Sequence, residues 1–132
     1  VKDYAGDGVL ILVGAPLQFD DHARRAVALA ESIVRCWQDG SQPLDVGVGV
    51  ASGRVTVGVV GGAGRLESAA VGSAVNLASR LCEEAAPGEV LGAGETVAAI
   101  DATGARAGLE PSTPRRLKGF ADEVATFALR PA

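Results

Sequence analysis

Two polar side chains interrupt an otherwise apolar helical segment in the middle of the chain. Asn76 and Arg80 lie within residues 74–85, which we predict to be a helix with Ser73 as its N-cap. Residues four apart share one face of a helix, one turn from each other. An amide and a guanidinium placed in this way suit a charged, hydroxylated ligand. The alternative is a solvated surface pair without a function, and spacing alone leaves both open.

Two further side chains could contact a metal ion or a phosphate. Asp7 is flanked by Gly6 and Gly8, so a cation can approach its carboxylate closely, and Mg²⁺ prefers carboxylate oxygen. Asp-Gly is also common hairpin-turn chemistry, which leaves a purely structural role open. Lys118, in a basic turn that ends at Gly119, is either a phosphate contact or a solvated lysine.

The glycine-rich residues 58–64 do not match a known phosphate-binding loop. They lack the Gly-Lys-Ser/Thr ending of a P-loop and depart from the Gly-x-Gly-x-x-Gly dinucleotide spacing. They also precede a predicted strand, whereas both of those motifs open a helix. We therefore predict that these glycines form a tight hairpin turn.

Hydrophobic periodicity predicts strands and helices that intermix along the chain. We predict strands at residues 1–4, 9–13, 44–52, 56–60, 68–71, 89–91 and 123–129. We predict a first helix that is capped by Asp20 or Asp21 and ends near Trp37, and further helices at 74–85 and 95–100. In the strand at 44–52, Gly47 and Gly49 occupy the face opposite three valines, so another element can approach its backbone closely. The mixture favours an α+β sandwich with a mixed sheet.

The composition is that of a globular domain with a sizeable core. Of 132 residues, 48% are hydrophobic and 21% are charged. No apolar run approaches the ~20 residues of a membrane span. The net charge of −4 argues against a general nucleic-acid binder. We predict that Cys36 and Cys82 are buried thiols without a disulfide, in a reducing compartment.

Four segments, in their order along the chain, resemble the catalytic domains of class III nucleotidyl cyclases. They are Tyr4-Ala-Gly-Asp-Gly-Val-Leu, Gly47-Val-Gly-Val-Ala-Ser-Gly53, Val71-Gly-Ser-Ala-Val-Asn-Leu-Ala-Ser-Arg-Leu81 and Leu117-Lys-Gly119. The third segment is the most diagnostic. The resemblance implies a ferredoxin-like sandwich with a largely antiparallel sheet and helices packed on it. It also implies that residues 1–132 form a single domain whose N-terminal strand precedes residue 1.

The resemblance further implies an enzyme that converts ATP, or alternatively GTP, to the 3′,5′-cyclic nucleotide and pyrophosphate. Two Mg²⁺ or Mn²⁺ ions per site would be held by two aspartates, and Asp7 matches the second of them. Asn76 matches the asparagine that orients the ribose, and Arg80 matches the arginine that stabilises charge on the reacting phosphorus. Lys118 matches the lysine that holds the distal phosphates.

The same resemblance implies a shared site in a head-to-tail homodimer or cyclase-domain heterodimer. One subunit would supply the metal ligands and the other the Asn76/Arg80 pair, which would explain why the pair needs no polar partner nearby in its own sequence. The domain would be cytoplasmic, act in signal transduction and contact neither nucleic acid nor membrane.

The chain departs from the family pattern at three positions. The first metal aspartate is expected on a strand before residue 1, so these residues alone are expected to be poorly active. The base-reading lysine is replaced by Asp3, and the second base-reading position is Ala69. Without these partners, a preference for adenine or guanine cannot be derived. The departures leave open a catalytically inactive cyclase-like domain that binds nucleotide or regulates by dimerising.

Overall fold

The computed structural model describes residues 2–4, 8–14, 21–38, 46–62, 65–102 and 108–129. Within these ranges the elements, in chain order, are β1 (Lys2–Tyr4), β2 (Gly8–Leu10), α1 (His22–Gln38), β3 (Val48–Val50), β4 (Thr56–Gly62), β5 (Arg65–Val71), α2 (Ser73–Glu84), β6 (Val90–Ala93), α3 (Gly94–Asp101), β7 (Glu110–Pro111) and β8 (Thr126–Leu129). Every predicted helix is present, with ends within two residues of the prediction. None of the helices in the described ranges combines the length and the apolar character that a membrane crossing requires.

Four strands form a mixed sheet in the order β3-β6-β8-β7. β3 runs parallel to β6, with Val48 opposite Val90, whereas β8 is antiparallel to both of its neighbours. A parallel pair needs a long crossover connection, and α2 lies on the crossover between β3 and β6. The predicted α+β class with a mixed, largely antiparallel sheet is confirmed.

Two antiparallel hairpins stand beside this sheet. β1 pairs with β2, and β4 pairs with β5 from Thr56 opposite Val71 to Gly62 opposite Arg65. Both hairpins were predicted, although β2 already ends at Leu10. The predicted glycine turn is wrong for residues 58–62, which belong to β4 and pair with β5, and residues 63–64 lie outside the described residues.

Alternation along β6 divides the core between the two faces of the four-stranded sheet. Val90 belongs to a buried cluster with Ile100 of α3 and with α1, whereas Leu91 belongs to a second cluster with Leu81 of α2. Successive side chains of a strand point to opposite faces. Helices α1 and α3 therefore cover one face, and α2 covers the other. The α1 residues in the first cluster, Ala23, Val27, Ala30 and Val34, recur at the spacing of one helix face.

The predicted burial of the two cysteines is wrong. Neither Cys36 nor Cys82 forms a disulfide within the described ranges, but both are exposed. Each lies on a helix, one or two residues beyond a fully buried residue, Val34 in α1 and Leu81 in α2. A step of one or two residues turns a side chain away from the buried face of a helix, so helical context alone did not bury these thiols.

Candidate active site

Helix α2 lies directly against the backbone of β3. A Cβ atom on Gly49 would overlap the carbonyl oxygen of Ala78 and the amide nitrogen of Cys82. A Cβ atom on Gly47 would lie 3.1 Å from the Cβ atom of Ala85. The predicted close approach to this glycine face is confirmed, and the approaching element is the helix that carries Asn76 and Arg80. Glycine thus determines how deeply that helix sits on the sheet.

The start of α2 differs from the prediction. Its N-cap is Gly72, whose carbonyl oxygen accepts hydrogen bonds from the amides of Val75 at 3.1 Å and Asn76 at 3.4 Å. No side chain of the described residues caps this end, so the prediction of Ser73 as the N-cap is wrong. A Cβ atom on Gly72 would lie 2.8 Å from the carbonyl oxygen of Arg54. Lack of space, rather than capping chemistry, therefore selects the residue at the helix start.

Asn76 lies in the first turn of α2 with its side chain exposed. The preceding residues Ala74 and Val75 are buried, so packing holds this turn in place. Within the described part of the chain, nothing partners the Asn76 amide. Its carbonyl oxygen and its NH₂ group are both available to a hydroxyl group of a ligand.

Arg80 lies one turn further along α2 and forms an ion pair with Glu83. Its Nη1 atom donates to Oε1 at 3.2 Å and to Oε2 at 3.1 Å. The two side chains are 33% and 62% exposed, so water screens the pair and its worth is at most about 1 kcal/mol. A more highly charged anion can displace such a partner. The expectation that Arg80 needs no polar partner in its own sequence is wrong, because residues three apart on a helix are neighbours.

Lys118 lies in a tight turn formed by residues 117–120. The amide of Phe120 donates to the carbonyl oxygen of Leu117 at 3.1 Å, which closes the turn. Gly119 has a φ of +89°, which glycine adopts readily and other residues do not. Leu117 is buried, whereas Lys118 is exposed. The turn is therefore anchored at its first residue and presents the ammonium group to solvent.

This 117–120 turn is attached to α2 by an apolar and a polar contact. Leu117 and Leu81 belong to the same buried cluster. Just before the turn, Nη1 of Arg115 donates to the carbonyl oxygen of Glu84, the last residue of α2, at 3.2 Å. The same atom lies 3.4 Å from Glu84 Oε2. The structure thus joins the element that carries Lys118 to the helix that carries Asn76 and Arg80.

The remaining predicted site residues lie on the two hairpins or outside the described residues. Asp3 lies in β1 opposite Val9, and Ala69 lies in β5 opposite Gly58. Both hairpins pair only within themselves in the part of the chain that the structure describes. Asp7 lies outside the described residues.

Metal binding was predicted at Asp7. Among the described side chains, no three His, Cys, Asp or Glu residues come together in a group that could hold a metal ion. The carboxylate of Asp7 is the type of ligand that Mg²⁺ and Mn²⁺ prefer. Its part in metal binding stays a prediction.

The joined elements present an amide, a guanidinium and an ammonium group. These groups can donate hydrogen bonds to phosphate oxygens, and the two cations can stabilise negative charge. Charge-assisted donors aimed at a reacting phosphate are a recurrent means of stabilising a transition state. The arrangement therefore suits a polyphosphate ester that also carries hydroxyl groups.

Two residues of this arrangement, Glu83 and Arg115, were not among the residues predicted from the sequence. The first could have been found, because an arginine and a glutamate three residues apart on a predicted helix are expected to meet. No local signal identifies Arg115, whose partner Glu84 is 31 residues away along the chain.

Comparison with known proteins points to one family. The family model described as "Adenylate and Guanylate cyclase catalytic domain" matches residues 3–131. Uncharacterized proteins of Mycobacterium tuberculosis and Mycobacterium bovis are 35% identical to this chain over 105 residues, which cover 78% of the chain. The matched part makes up 20% of each relative, so the chain spans about a fifth of their length.

Solved structures of cyclases share the fold. The guanylyl cyclase Cya2 is 29% identical, with a TM-score of 0.82 over 98% of this chain and 68% of that one. The adenylyl cyclase CyaB from P. aeruginosa is 25% identical, with a TM-score of 0.74 over 96% of this chain and 69% of that one. The guanylate cyclase domain of RhGC from Catenaria anguillulae, solved with GTP, is 27% identical, with a TM-score of 0.75 over 88% of this chain and 63% of that one.

Proposed function

Because the chain belongs to the adenylate and guanylate cyclase catalytic domain family, we propose that it converts ATP, or alternatively GTP, to the 3′,5′-cyclic nucleotide and pyrophosphate. The observation that carries the proposal is the attachment of the 117–120 turn, with Lys118, to α2, with Asn76 and Arg80. This attachment supports the proposal because it links the turn that carries one cationic side chain to the helix that carries an amide and a second cation. We further propose that the domain acts in cytoplasmic signal transduction.

The proposed roles follow from the charge that develops during cyclisation. The ribose 3′-hydroxyl gives up its proton to solvent and its oxygen attacks the α-phosphorus. The bond from that phosphorus to the α,β-bridging oxygen breaks, and pyrophosphate leaves with the electron pair of that bond and additional negative charge. Arg80 would stabilise charge at the reacting phosphorus by exchanging Glu83 for phosphate oxygens. Lys118 would hold the distal phosphates, and Asn76 would orient the ribose through its amide.

Asp7 would hold Mg²⁺ or Mn²⁺, two ions per site, together with a second aspartate. When bound, such ions neutralise the triphosphate and favour deprotonation of the attacking hydroxyl group. The carboxylate chemistry of Asp7 supports this assignment, as does the family membership of the chain.

The proposal is tested by incubating the full-length protein with Mn²⁺ and either ATP or GTP and measuring cyclic nucleotide by chromatography. We expect product with one or both nucleotides. The nucleotide that reacts faster gives the preference for adenine or guanine, which Asp3 and Ala69 leave open. No product with either nucleotide, at protein concentrations that form dimers, would overturn it.

We also propose that two subunits share each site in a head-to-tail dimer. In that arrangement the variants Asp7→Ala and Arg80→Ala are each inactive alone. A mixed dimer of the two contains one intact site, so an equimolar mixture recovers about a quarter of wild-type activity. No recovery in a mixture shown to exchange subunits would contradict a shared site.

The departures at Asp3 and Ala69 favour a second candidate function. In this alternative the domain binds nucleotide or dimerises as a regulator and does not catalyse. It predicts that Arg80→Ala leaves the cellular output unchanged. The cyclase proposal predicts a rate loss of about 100-fold or more, because the variant removes charge stabilisation in the transition state.

A further inference from the structure

Arg115 contacts two elements of the proposed site at once. Its side chain donates from Nη1 to the carbonyl oxygen of Glu84 at 3.2 Å. Its backbone pairs with Val124, with the Arg115 amide donating at 3.0 Å and the Val124 amide donating at 2.8 Å. The segment between Arg115 and Val124 contains the 117–120 turn. Arg115 therefore pairs the two ends of the loop that carries Lys118, and it also attaches these ends to the C-terminal end of α2.

The contact with α2 has a clear electrostatic basis. Carbonyl groups in the last turn of a helix have no partner within the helix and carry its negative partial charge. The guanidinium of Arg115 meets this end of α2 at Glu84, and the Glu84 carboxylate adds a second negative group 3.4 Å away. The Arg115 side chain is 27% exposed, so solvent screens this contact less than an open surface pair.

The partly buried position of the Arg115 side chain also has a cost in stability. Its Nε atom is buried and has no hydrogen-bond partner in the described part of the chain. A buried donor without a partner costs free energy. The planar guanidinium group nevertheless reaches the end of the helix and donates to it in a defined orientation, which a shorter or apolar side chain could not reproduce.

Both attachments of the turn reach the part of α2 that carries Arg80. Leu81, in the cluster with Leu117, is the residue next to Arg80. Glu84 lies four residues after Arg80, one helical turn away. The turn therefore has two attachments to this part of α2, one apolar and one polar.

We propose, on the basis of the cyclase function proposed above, that Arg115 is a positioning residue. It sets the position of Lys118 relative to Arg80, so that the two cations bind different phosphates of one nucleoside triphosphate. Arg115 itself need not touch the substrate. Its effect on substrate binding is exerted through Lys118.

A double-mutant cycle between Arg115→Ala and Lys118→Ala tests this coupling in the full-length protein. We expect Arg115→Ala alone to weaken triphosphate binding about tenfold, seen as a higher KM with a smaller change in kcat. In the Lys118→Ala background the same change should have little further effect, because the residue it positions is gone. Arg115→Lys, which retains a donor and a charge, should restore part of the affinity.

Arg35→Ala is the matched control. It removes an arginine from an exposed ion pair with Glu31 on α1, on the other face of the sheet. We expect it to leave KM unchanged in both backgrounds. A purely structural role of Arg115 predicts instead less active protein with an unchanged KM. An equal loss of affinity from Arg115→Ala in both backgrounds would overturn the proposal.

A second readout separates this proposal from the cyclase activity. Calorimetric titration with inorganic tripolyphosphate and Mn²⁺ measures the dissociation constants of wild type, both single variants and the double variant without turnover. If the protein makes no cyclic nucleotide but the cycle remains non-additive, the cyclase function fails and the positioning role stands. If wild type binds no tripolyphosphate, the positioning role fails too. Arg115→Gln, which keeps a polar side chain, replaces Arg115→Ala if that variant does not fold.

Discussion

The backbone of Gly49 in β3 lies against the carbonyl oxygen of Ala78 in α2, with no room for a Cβ atom between them. The backbone carbonyl carbon of Leu81 would also come within 2.9 Å of such an atom. All three nearest atoms belong to the backbone of α2, including the Cys82 amide nitrogen, so no side-chain rotation could relieve the overlap. The position of the helix that carries Asn76 and Arg80 therefore depends on this glycine.

Gly49→Ala is expected to lower the free energy of unfolding by about 1–3 kcal/mol, because α2 must move as a unit to admit the methyl group. The activity of the remaining folded protein should also fall, since the same movement displaces Arg80. Denaturant unfolding and activity per folded molecule measure the two effects. Gly94→Ala is the control, because the nearest atom to its Cβ atom across the described residues would be a ring carbon of Phe127 at 3.8 Å, an ordinary contact. Equal stability of the two variants would contradict the prediction.

Arg80→Ala is expected to lower kcat by about 100-fold or more while changing the free energy of unfolding by less than about 1 kcal/mol. The partly exposed pair with Glu83 explains the small effect on stability. Steady-state kinetics and thermal unfolding measure the two quantities. Arg35→Ala, which removes an arginine from the pair with Glu31, should leave kcat unchanged. A similar fall in kcat in both variants would show that Arg80 has no special role.

Glu83→Gln is expected to lower the KM for the triphosphate at low ionic strength, because Arg80 no longer has an anionic competitor. The gain should shrink as salt is added, since the pair is solvent-accessible and screening weakens the competition as well as the attraction. Glu31→Gln, on the opposite face of the sheet, is the matched control and should not change KM. A higher KM in Glu83→Gln would mean that the carboxylate orients Arg80 and does not compete for it.

The Asp21 carboxylate is expected to titrate below its ordinary range. Arg25 donates to it at 2.9 Å, and this hydrogen bond, with the attraction of the nearby positive charge, lowers the pKa of Asp21. Because the folded-state pKa is the lower one, the stabilising contribution of the pair is complete above the unfolded-state pKa. It is lost as pH falls through the folded-state pKa.

An NMR titration of the Asp21 carboxyl carbon measures this shift. Arg25→Gln should return the pKa towards its ordinary value. Arg24→Gln, which removes only a weaker charge attraction, should move the pKa far less. Equal shifts in the two variants would exclude the hydrogen bond as the main cause.

Much of the fold follows from local patterns. The helical spacing of Ala23, Val27, Ala30 and Val34 corresponds to the buried face of α1, and the alternation of glycine with valine predicted the face of β3 that α2 covers. Asn76, Arg80 and Lys118 were predicted as site residues from residue types, order and the resemblance of their segments to the cyclase family, and their roles stay predictions. These features are local because side-chain direction repeats with the period of the helix or strand.

Long-range neighbours could not be predicted in this way. The strand order β3-β6-β8-β7 and the contact between Arg115 and Glu84 join residues far apart in the chain. The start of α2 was misassigned because the space beside Arg54, and not the capping propensity of Ser73, determines it. Local periodicity specifies which face of an element is buried, whereas the packing of whole elements decides which residues meet across that face. That packing attaches the Lys118 turn to the helix that carries Arg80.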